Sequence, residues 1–158
     1  MALFLSTFVN KIDKKGRISV PATFRAALAP ESFQGIVTFR SYKYNAIEAC
    51  GLSRMQRLSE SVDDLDSFSD AQDDLTATIF ADSIQLSLDG DGRITLPQSL
   101  REHAEITDAA AFVGRGATFQ IWQPAAFEAM QQQARERVRQ QKTTIRLKAG
   151  SAAEKEVG

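Results

Sequence analysis

Apolar and polar residues alternate over two short stretches near the start of the chain. In the first stretch, Phe8, Asn10 and Ile12 alternate with Val9, Lys11 and Asp13, a period-2 pattern typical of a strand. Asp13-Lys-Lys-Gly16 reads as a turn, because glycine tolerates positive φ and the aspartate side chain bonds its own backbone. The alternation resumes after the turn, at Ile18-Ser-Val20. Pro21 then stands where its fixed φ suits the first turn of a helix. The pattern predicts a β-hairpin and a helix over 22–28.

The same pattern occurs a second time, 76 residues further along. Residues 8–25 align without a gap on residues 84–101. The identical pairs are Asp13/Asp89, Gly16/Gly92, Arg17/Arg93, Ile18/Ile94, Pro21/Pro97 and Arg25/Arg101. Six identities in one register, with apolar positions matched as well, indicate two copies of one unit. The second copy predicts a hairpin with a helix over 98–104.

The rest of each half predicts further strands and a closing helix. Strand-like runs cover 35–39 and 44–49 in the first half, and 111–113 and 118–122 in the second. Predicted helices cover 52–62, 69–81 and 124–141, and residues 143–158 are expected to be loose. Because each half is too small for a good core alone, we expect one α+β body. Its pseudo-twofold, β-barrel-like core would carry the helices outside.

The composition leaves little room for catalysis or metal binding. The chain has 158 residues, one cysteine and one histidine. An intrachain disulfide, a zinc finger, and metal sites or nucleophile triads that need several His and Cys residues therefore all lack their residues. No apolar run approaches the ~20 residues of a membrane span, and the opening residues do not look like a signal peptide. We therefore expect a cytoplasmic non-enzyme with no catalytic residues, no metal, no cofactor, no membrane partner and no small-molecule substrate.

The net charge of −1 conceals strong segregation of charge. Residues 10–25 carry five cations and one anion, and residues 135–148 carry six cations and one anion. Residues 59–76 carry seven anions and no cation, which we interpret as a solvated helix face. Nucleic-acid binding depends on the local field and not on the sum, so the two basic stretches keep such a partner open.

The repeated motif resembles that of a known family. Asp-x-x-x-Arg in a hairpin, followed by Ile/Leu-x-Val/Leu-Pro at a helix start, resembles the SpoVT/AbrB family of swapped-hairpin transcription factors. Two such units in one chain are similar to the MraZ regulators, whose opening pattern appears here as Val9-Asn-Lys-Ile-Asp-Lys-Lys-Gly-Arg-Ile-Ser-Val-Pro21. The second copy, Leu88-Asp-Gly-Asp-Gly-Arg-Ile-Thr-Leu-Pro97, also fits. The resemblance covers about residues 1–142.

The resemblance implies a bacterial DNA-binding transcriptional regulator. Such proteins look like repressors of their own operon in the division and cell-wall gene cluster. They bind short direct repeats in the promoter's double-stranded DNA as ring-shaped homo-oligomers, which implies a cytoplasmic, nucleoid-associated protein.

The implied architecture is two tandem swapped-hairpin units with peripheral helices. The units cover residues 7–54 and 83–126, joined by an acidic helical connector over 55–82. A C-terminal helix over 127–142 and a flexible tail over 143–158 complete the chain.

Arg17 is the first candidate for reading DNA. Arginine offers a planar fork that fits guanine O6 and N7, and a two-stranded β-ribbon fits the major groove. We expect Lys11, Lys14 and Lys15 to contact phosphates, which fixes register without reading sequence. We expect Asp13 to orient Arg17 or cap the turn. The alternative is that the Arg17–Asp13 pair only stabilises the hairpin and Arg17 does not contact DNA.

The second copy differs in its charges. Arg93 is flanked by Asp89 and Asp91 and by no lysine, so we expect it to stabilise the fold and to be a secondary DNA site only if it packs beside Arg17. Arg115, in the turn sequence Gly114-Arg-Gly116, is a further secondary candidate. Four more residues have structural parts in the two motifs: Gly16, Pro21, Gly92 and Pro97.

Two other functions stay open. One is an AbrB-type antitoxin, which the duplicated unit fits poorly. The other is a protein-interaction scaffold, in which charged faces serve only assembly. The predicted last helix carries Arg135, Arg137 and Arg139, and it could pair with the acidic stretch Asp63–Asp74 of a neighbouring copy.

Overall fold

A computed structural model describes residues 2–149 and contains strands and helices in two repeated series. The first series is β1 (Thr7–Lys11), β2 (Arg17–Ser19), α1 (Ala22–Leu28), β3 (Gly35–Arg40), β4 (Ile47–Cys50) and α2 (Leu52–Asp63). Helix α3 (Asp70–Leu75) and a π-helical segment (Thr76–Phe80) follow. The second series is β5 (Ile84–Ser87), β6 (Arg93–Thr95), α4 (Gln98–His103), β7 (Ala109–Gly114), β8 (Phe119–Trp122) and α5 (Pro124–Gln141). The mixed α and β content agrees with the expected fold class.

The strands form one large antiparallel sheet and one small ribbon. The large sheet has the order β1-β7-β8-β4-β3-β5, and β2 pairs only with β6. The expected barrel-like closure is wrong, because β1 and β5 end the large sheet on opposite sides and do not pair with each other. The two strands that could have bridged them, β2 and β6, bond to each other instead.

Strand pairing runs between the two halves of the chain. β1 pairs with β7 of the second half, and β5 pairs with β3 of the first. The predicted hairpin of β1 with β2 is therefore wrong. Next to the turn, a single bridge joins Ile12 to Ile18, and further from the turn the two strands pair with other strands. Ile18 and Ile94 face each other across the ribbon and are both almost fully buried. Burying both apolar side chains at one place favours this exchange over two separate hairpins.

The core lies on both faces of the large sheet. On one face, the ribbon, α1 and α4 cover an aromatic cluster centred on Phe24, which stacks against Phe4, Phe8, Phe112 and Phe119. On the other face, Met55 of α2 and Ile79 pack on Val37 and Phe39 of β3. The sheet is therefore held between the ribbon with its helices and α2.

The chain divides into two compact units, Met1–Phe127 and Glu128–Gly158. The second unit contains the rest of α5 and the residues after it. Residues 143–149 form no helix or strand, and the remainder of the predicted tail, residues 150–158, lies outside the described residues. None of the described helices is long and apolar enough to cross a membrane.

Candidate nucleic-acid interface

The ribbon brings the two motif arginines onto one exposed face. Arg17 pairs with Thr95, and Ser19 pairs with Arg93. Because alternate residues of a strand share a face, these four side chains lie opposite the buried pair Ile18 and Ile94. From ordinary strand spacing, the Cα atoms of Arg17 and Arg93 are about 8 Å apart. Arg93 was expected to be a secondary DNA site only if it lay beside Arg17, and the ribbon places the two arginines side by side.

Asp13 organises the first turn of the ribbon. Its Oδ1 accepts hydrogen bonds from the backbone N–H groups of Lys15 and Arg17, both at 2.9 Å. Its Oδ2 accepts from Arg17 Nε at 2.7 Å. The Arg17 backbone N–H is the main cause that lowers the pKa of the Asp13 carboxyl. Asp13 therefore shapes the turn and fixes the direction of the Arg17 guanidinium at the same time.

Asp89 does the same in the second turn. Its Oδ1 accepts from the backbone N–H groups of Asp91 and Arg93 at 2.9 Å, and its Oδ2 accepts from Arg93 Nε at 3.0 Å. The Arg93 backbone N–H is again the main cause of a lowered pKa at the Asp89 carboxyl. Here a second carboxylate, that of Asp91, also accepts from Arg93 Nη2 at 3.3 Å.

The two arginines differ in what they can still donate. Within the described residues, the terminal nitrogens of Arg17 have no hydrogen-bond partner, whereas Arg93 uses Nη2 on Asp91. Near Arg17, the side chains of Lys11, Lys14 and Lys15 are exposed. The first turn is therefore the more cationic and offers a more complete guanidinium fork.

Two further arginines, which the sequence analysis recorded only as identities, lie beside the turns. Arg25 Nε donates to the Val20 carbonyl, and Arg101 Nε donates to the Leu96 carbonyl, each at 3.1 Å. A Cβ built on Gly92 would lie 2.6 Å from Arg25 Nη1, and one on Gly16 would lie 3.5 Å from the Arg101 guanidinium carbon. Each arginine thus packs against the turn of the other repeat. Their identity in the aligned repeats was the signal that could have found them.

The prolines of the two motifs begin the helices that carry these arginines. Pro21 and Pro97 are the residues before α1 and α4, with φ of −53° and −60°. Their carbonyls accept from the Arg25 and Arg101 backbone N–H groups, at 2.9 Å and 3.1 Å. The prolines therefore set where the first helical turn starts and, with it, the position of each arginine.

Arg115 lies elsewhere. It stands just beyond Gly114, the last residue of β7, whereas the first residue of β7, Ala109, pairs with Lys11. Its side chain lines a cleft with Glu48 and Leu58. A β7 of six residues places it about 20 Å along the sheet from the first turn of the ribbon. The structure does not bring Arg115 together with Arg17.

Among the described residues, the single histidine and the single cysteine are held by the fold away from the ribbon. His103 is half buried, and its Nε2 lies 3.1 Å from the Tyr44 carbonyl oxygen. Burial raises the pKa of the Cys50 thiol to about 12. Within residues 2–149, no group of three or more His, Cys, Asp or Glu side chains could hold a metal ion.

The fold and this surface define the class: a protein of mixed α and β structure with a large antiparallel sheet and a separate arginine-bearing β-ribbon. A family model described as "MraZ protein, putative antitoxin-like" matches residues 79–148. The transcriptional regulator MraZ of Rickettsia akari (strain Hartford) is 46% identical over 146 residues, which is 92% of this chain and 98% of the relative. The proteins of the same name from Rickettsia rickettsii (strain Sheila Smith) and Rickettsia bellii (strain OSU 85-389) are 44% and 45% identical, with the same coverage.

This chain belongs to the MraZ family. The resemblance read from its two motifs is thereby confirmed.

Proposed function

We propose that this protein is a sequence-specific DNA-binding transcriptional regulator. The single observation that carries the proposal is the ribbon, which holds Arg17 and Arg93 on one outer face with Asp13 and Asp89 fixing their guanidinium groups. A two-stranded ribbon fits the major groove, where arginine reads guanine. The names of the Rickettsia relatives agree with regulation of transcription.

Arg17 is the proposed base-reading residue. Its Nε is occupied by Asp13, so the terminal nitrogens Nη1 and Nη2 would donate to guanine O6 and N7. Lys11, Lys14 and Lys15 would contact phosphates on one side of the groove. Arg93 is a weaker second reader because Asp91 competes for one of its terminal nitrogens.

Arg25 and Arg101 are proposed as further phosphate contacts. Each is anchored through Nε to a backbone carbonyl, and the rest of the guanidinium lies beside a turn of the ribbon. An anchored arginine loses less conformational entropy on binding. Arg115 as a secondary contact stays a prediction, and it would require DNA to reach the far end of β7.

We further propose two tandem swapped-hairpin units over residues 7–54 and 83–126, with an acidic helical connector over 55–82 and a C-terminal helix over 127–142. The reciprocal pairing of β1 with β7 and of β5 with β3 supports such units. The identical parts played by Asp13 and Asp89 in their turns support them too.

The proposed regulation is repression of the protein's own operon in the division and cell-wall gene cluster. One ribbon offers few cations, so the affinity of one copy should be weak and salt-sensitive. A ring of copies on successive promoter repeats would raise it through effective concentration. The protein would act in the cytoplasm, at the nucleoid.

A mobility-shift series on the DNA upstream of its own gene tests the proposal. Arg17→Ala should lose the specific shift at unchanged oligomeric mass, and Arg93→Ala should lose less of it. If wild type binds that region no better than random DNA at near-physiological salt, the operator proposal fails and an interaction scaffold becomes the better explanation.

The chain also offers a matched charge control. Lys14→Gly combined with Lys15→Ala removes two of the three lysines and adds no carboxylate that could accept from the Arg17 guanidinium as Asp91 accepts from Arg93. This variant should keep its stability and lose affinity for all DNA sequences alike, because phosphate contacts carry no sequence information. A loss restricted to the specific site would instead assign base reading to the lysines.

An antitoxin is the second candidate, because the description of the family model includes antitoxin-like proteins. An antitoxin requires a toxin partner. Purification of the intact protein from its native cells at low salt should then yield a second protein in a fixed ratio, and its absence would argue against this candidate.

A further inference from the structure

The end of α5 and the segment after it are strongly cationic. We name residues 135–148 the basic arm; it consists of the last two turns of α5 and the residues that follow the helix. The arm contains one acid, Glu136, and six cations: Arg135, Arg137, Arg139, Lys142, Arg146 and Lys148. Every residue of the arm is exposed, and within residues 2–149 none of the six cations forms an ion pair. A single copy therefore has no described carboxylate that neutralises them.

The stability of α5 explains only a small part of this charge. A cation near the end of a helix interacts favourably with the helix dipole, but the effect is confined to the last turn. Arg139 lies in the last turn of α5, whereas Arg135 lies one turn earlier. The two arginines are four residues apart, a spacing at which like charges repel each other on a helix. Arg146 and Lys148 lie beyond the helix altogether, so the helix dipole does not account for them.

The arm presents four of its cations as two pairs of similar spacing. Arg135 and Arg139 line one hollow of about 280 Å³ on α5, and four residues of helix place them about 6 Å apart along its axis. In an extended segment, Arg146 and Lys148 lie on the same side, about 7 Å apart. Phosphates two base pairs apart on one DNA strand are also separated by about 7 Å along the duplex. Each pair therefore matches alternate phosphates of one strand.

A defined turn joins the helix to the second pair of cations. Lys142 has φ of 51°, and the Thr143 N–H donates to the Val138 carbonyl at 3.2 Å. Such a bond closes the end of a helix. Residues 143–149 form no helix or strand themselves. The segment with Arg146 and Lys148 thus starts at a fixed place, and its backbone is not committed to a regular element that would prevent it from extending along a partner.

The arm is better suited to a nucleic acid than to the other common polyanion, an anionic lipid surface. A helix that lies on a membrane needs a large apolar face. Among residues 135–141, Val138 is the one large apolar residue, and Ile145 and Leu147 lie beyond the helix. Contacts to phosphates need no apolar face. The Rickettsia relatives are named transcriptional regulators, which agrees with a nucleic-acid partner.

We propose that the basic arm binds the phosphate backbone of double-stranded DNA as a second contact, separate from the ribbon. Arg135 and Arg139 contact phosphates from the helix, and Arg146 and Lys148 contact them from the segment after it. Because phosphates carry no sequence information, the arm adds affinity for every DNA sequence alike. The arm holds the protein on DNA while the ribbon selects the site. This inference rests on the proposed DNA binding and adds to it a surface outside the ribbon.

Fluorescence anisotropy titration of a random-sequence duplex, at several salt concentrations, tests the arm in the full-length protein. Arg146→Gln with Lys148→Gln should reduce the slope of log K against log salt concentration by about 1.8 per bound copy, because it removes two phosphate contacts. Arg135→Gln with Arg139→Gln should reduce the slope by a similar amount. Both pairs should keep the unfolding midpoint and the sedimentation mass of the wild type, since these side chains are exposed.

Two further variants show whether the position of the charge matters. The control pair Lys43→Gln with Arg57→Gln removes the same charge from exposed residues outside the arm and should leave the slope unchanged. Glu136→Gln changes the charge in the opposite direction, because it removes the one acid of the arm. It should tighten binding to the random duplex about twofold or more, the size of one exposed charge interaction.

Several outcomes would overturn the proposal. An unchanged slope in both arm pairs would do so, and an equal reduction in the control pair would show that net charge matters and the arm does not. A lower sedimentation mass of the arm pairs would assign these cations to contacts between copies. An unchanged DNA slope, together with lost binding to phosphatidylglycerol vesicles, would assign the arm to a lipid surface.

The failure of the arm can be distinguished from the failure of the proposed function. A wild-type slope in the arm pairs, with a specific mobility shift that still depends on Arg17, would remove the arm and leave the sequence-specific regulator standing. A reduced slope in the arm pairs, in a protein with no preference for the DNA upstream of its gene, would keep the arm and remove the sequence-specific function.

Discussion

Gly16 occupies a backbone conformation that side chains rarely adopt. Its φ is 84°, and a Cβ at this position would lie 2.9 Å from the Leu96 carbonyl oxygen. Gly16→Ala should therefore lower the free energy of unfolding by about 1–3 kcal/mol. Gly90→Ala is the matched control in the second turn, where the added Cβ meets nothing within 4 Å. Urea unfolding at one protein concentration measures both, and equal losses would contradict the account of the turn.

The thiol of Cys50 has low reactivity in the folded protein. It is buried in β4, and burial raises the pKa of its thiol from 9.0 to about 12. The reactive thiolate is then about 1000-fold scarcer than in an unperturbed thiol at the same pH. A thiol reagent at pH 8 should label the native protein far more slowly than the urea-unfolded one. Equal rates would mean that Cys50 reaches solvent in the native state.

At the scale of the element, the two turns of the ribbon predict a pH dependence with a definite sign. Backbone N–H groups hold the pKa of Asp13 and of Asp89 below the ordinary 3.8. A lowered folded pKa contributes stability that is present above the unfolded value and lost as pH falls through the folded one. The stability difference between wild type and Asp13→Asn should thus be constant from pH 5 to 8 and shrink below about pH 3.8. A change between pH 5 and 8 would assign it to another group.

Helix boundaries could be predicted where a local signal marks them. α1 begins after Pro21 and α5 begins at Pro124, both as predicted. The predicted helix over 69–81 instead becomes α3 and a π-helical segment that begins at Thr76. The Thr76 and Thr78 hydroxyls donate to the Asp73 and Asp74 carbonyls. Such side-chain competition for backbone carbonyls disturbs a regular helix, and apolar periodicity does not register it.

Strand partners could not be predicted in the same way. The period-2 pattern of β1 and β2 specifies which face of each strand is buried, but not which strand lies beside it. The partner was decided by burial of Ile18 against Ile94, a contact between residues far apart in the chain. For the candidate site, the sequence therefore identified Arg17 and Arg93 separately. That the two arginines lie on the same outer face follows only from the pairing of β2 with β6 in the structure.

At the scale of the whole molecule, charge is arranged locally against a net charge of −1. The cations Lys11, Lys14 and Lys15 lie on or beside the first turn of the ribbon, whereas seven anions lie in the stretch 59–76. The attraction of the chain for DNA should therefore be short-ranged and act only in one orientation. Copies arranged on successive DNA repeats would add such local contacts without adding long-range attraction.

The slope of log K against log salt concentration should show how many copies contact one DNA molecule at the same time. Each phosphate contact contributes about 0.9 to the slope of log K against log salt concentration. Lys15→Ala removes one proposed contact per copy, so with several copies bound the slope should fall by about 0.9 for each of them. Lys43→Ala, an equal charge change in the turn between β3 and β4, should leave the slope unchanged. Fluorescence titration of an operator fragment at several salt concentrations measures both. A decrease of about 0.9 for Lys15→Ala would mean that one copy binds at a time, and no decrease would remove Lys15 from the interface.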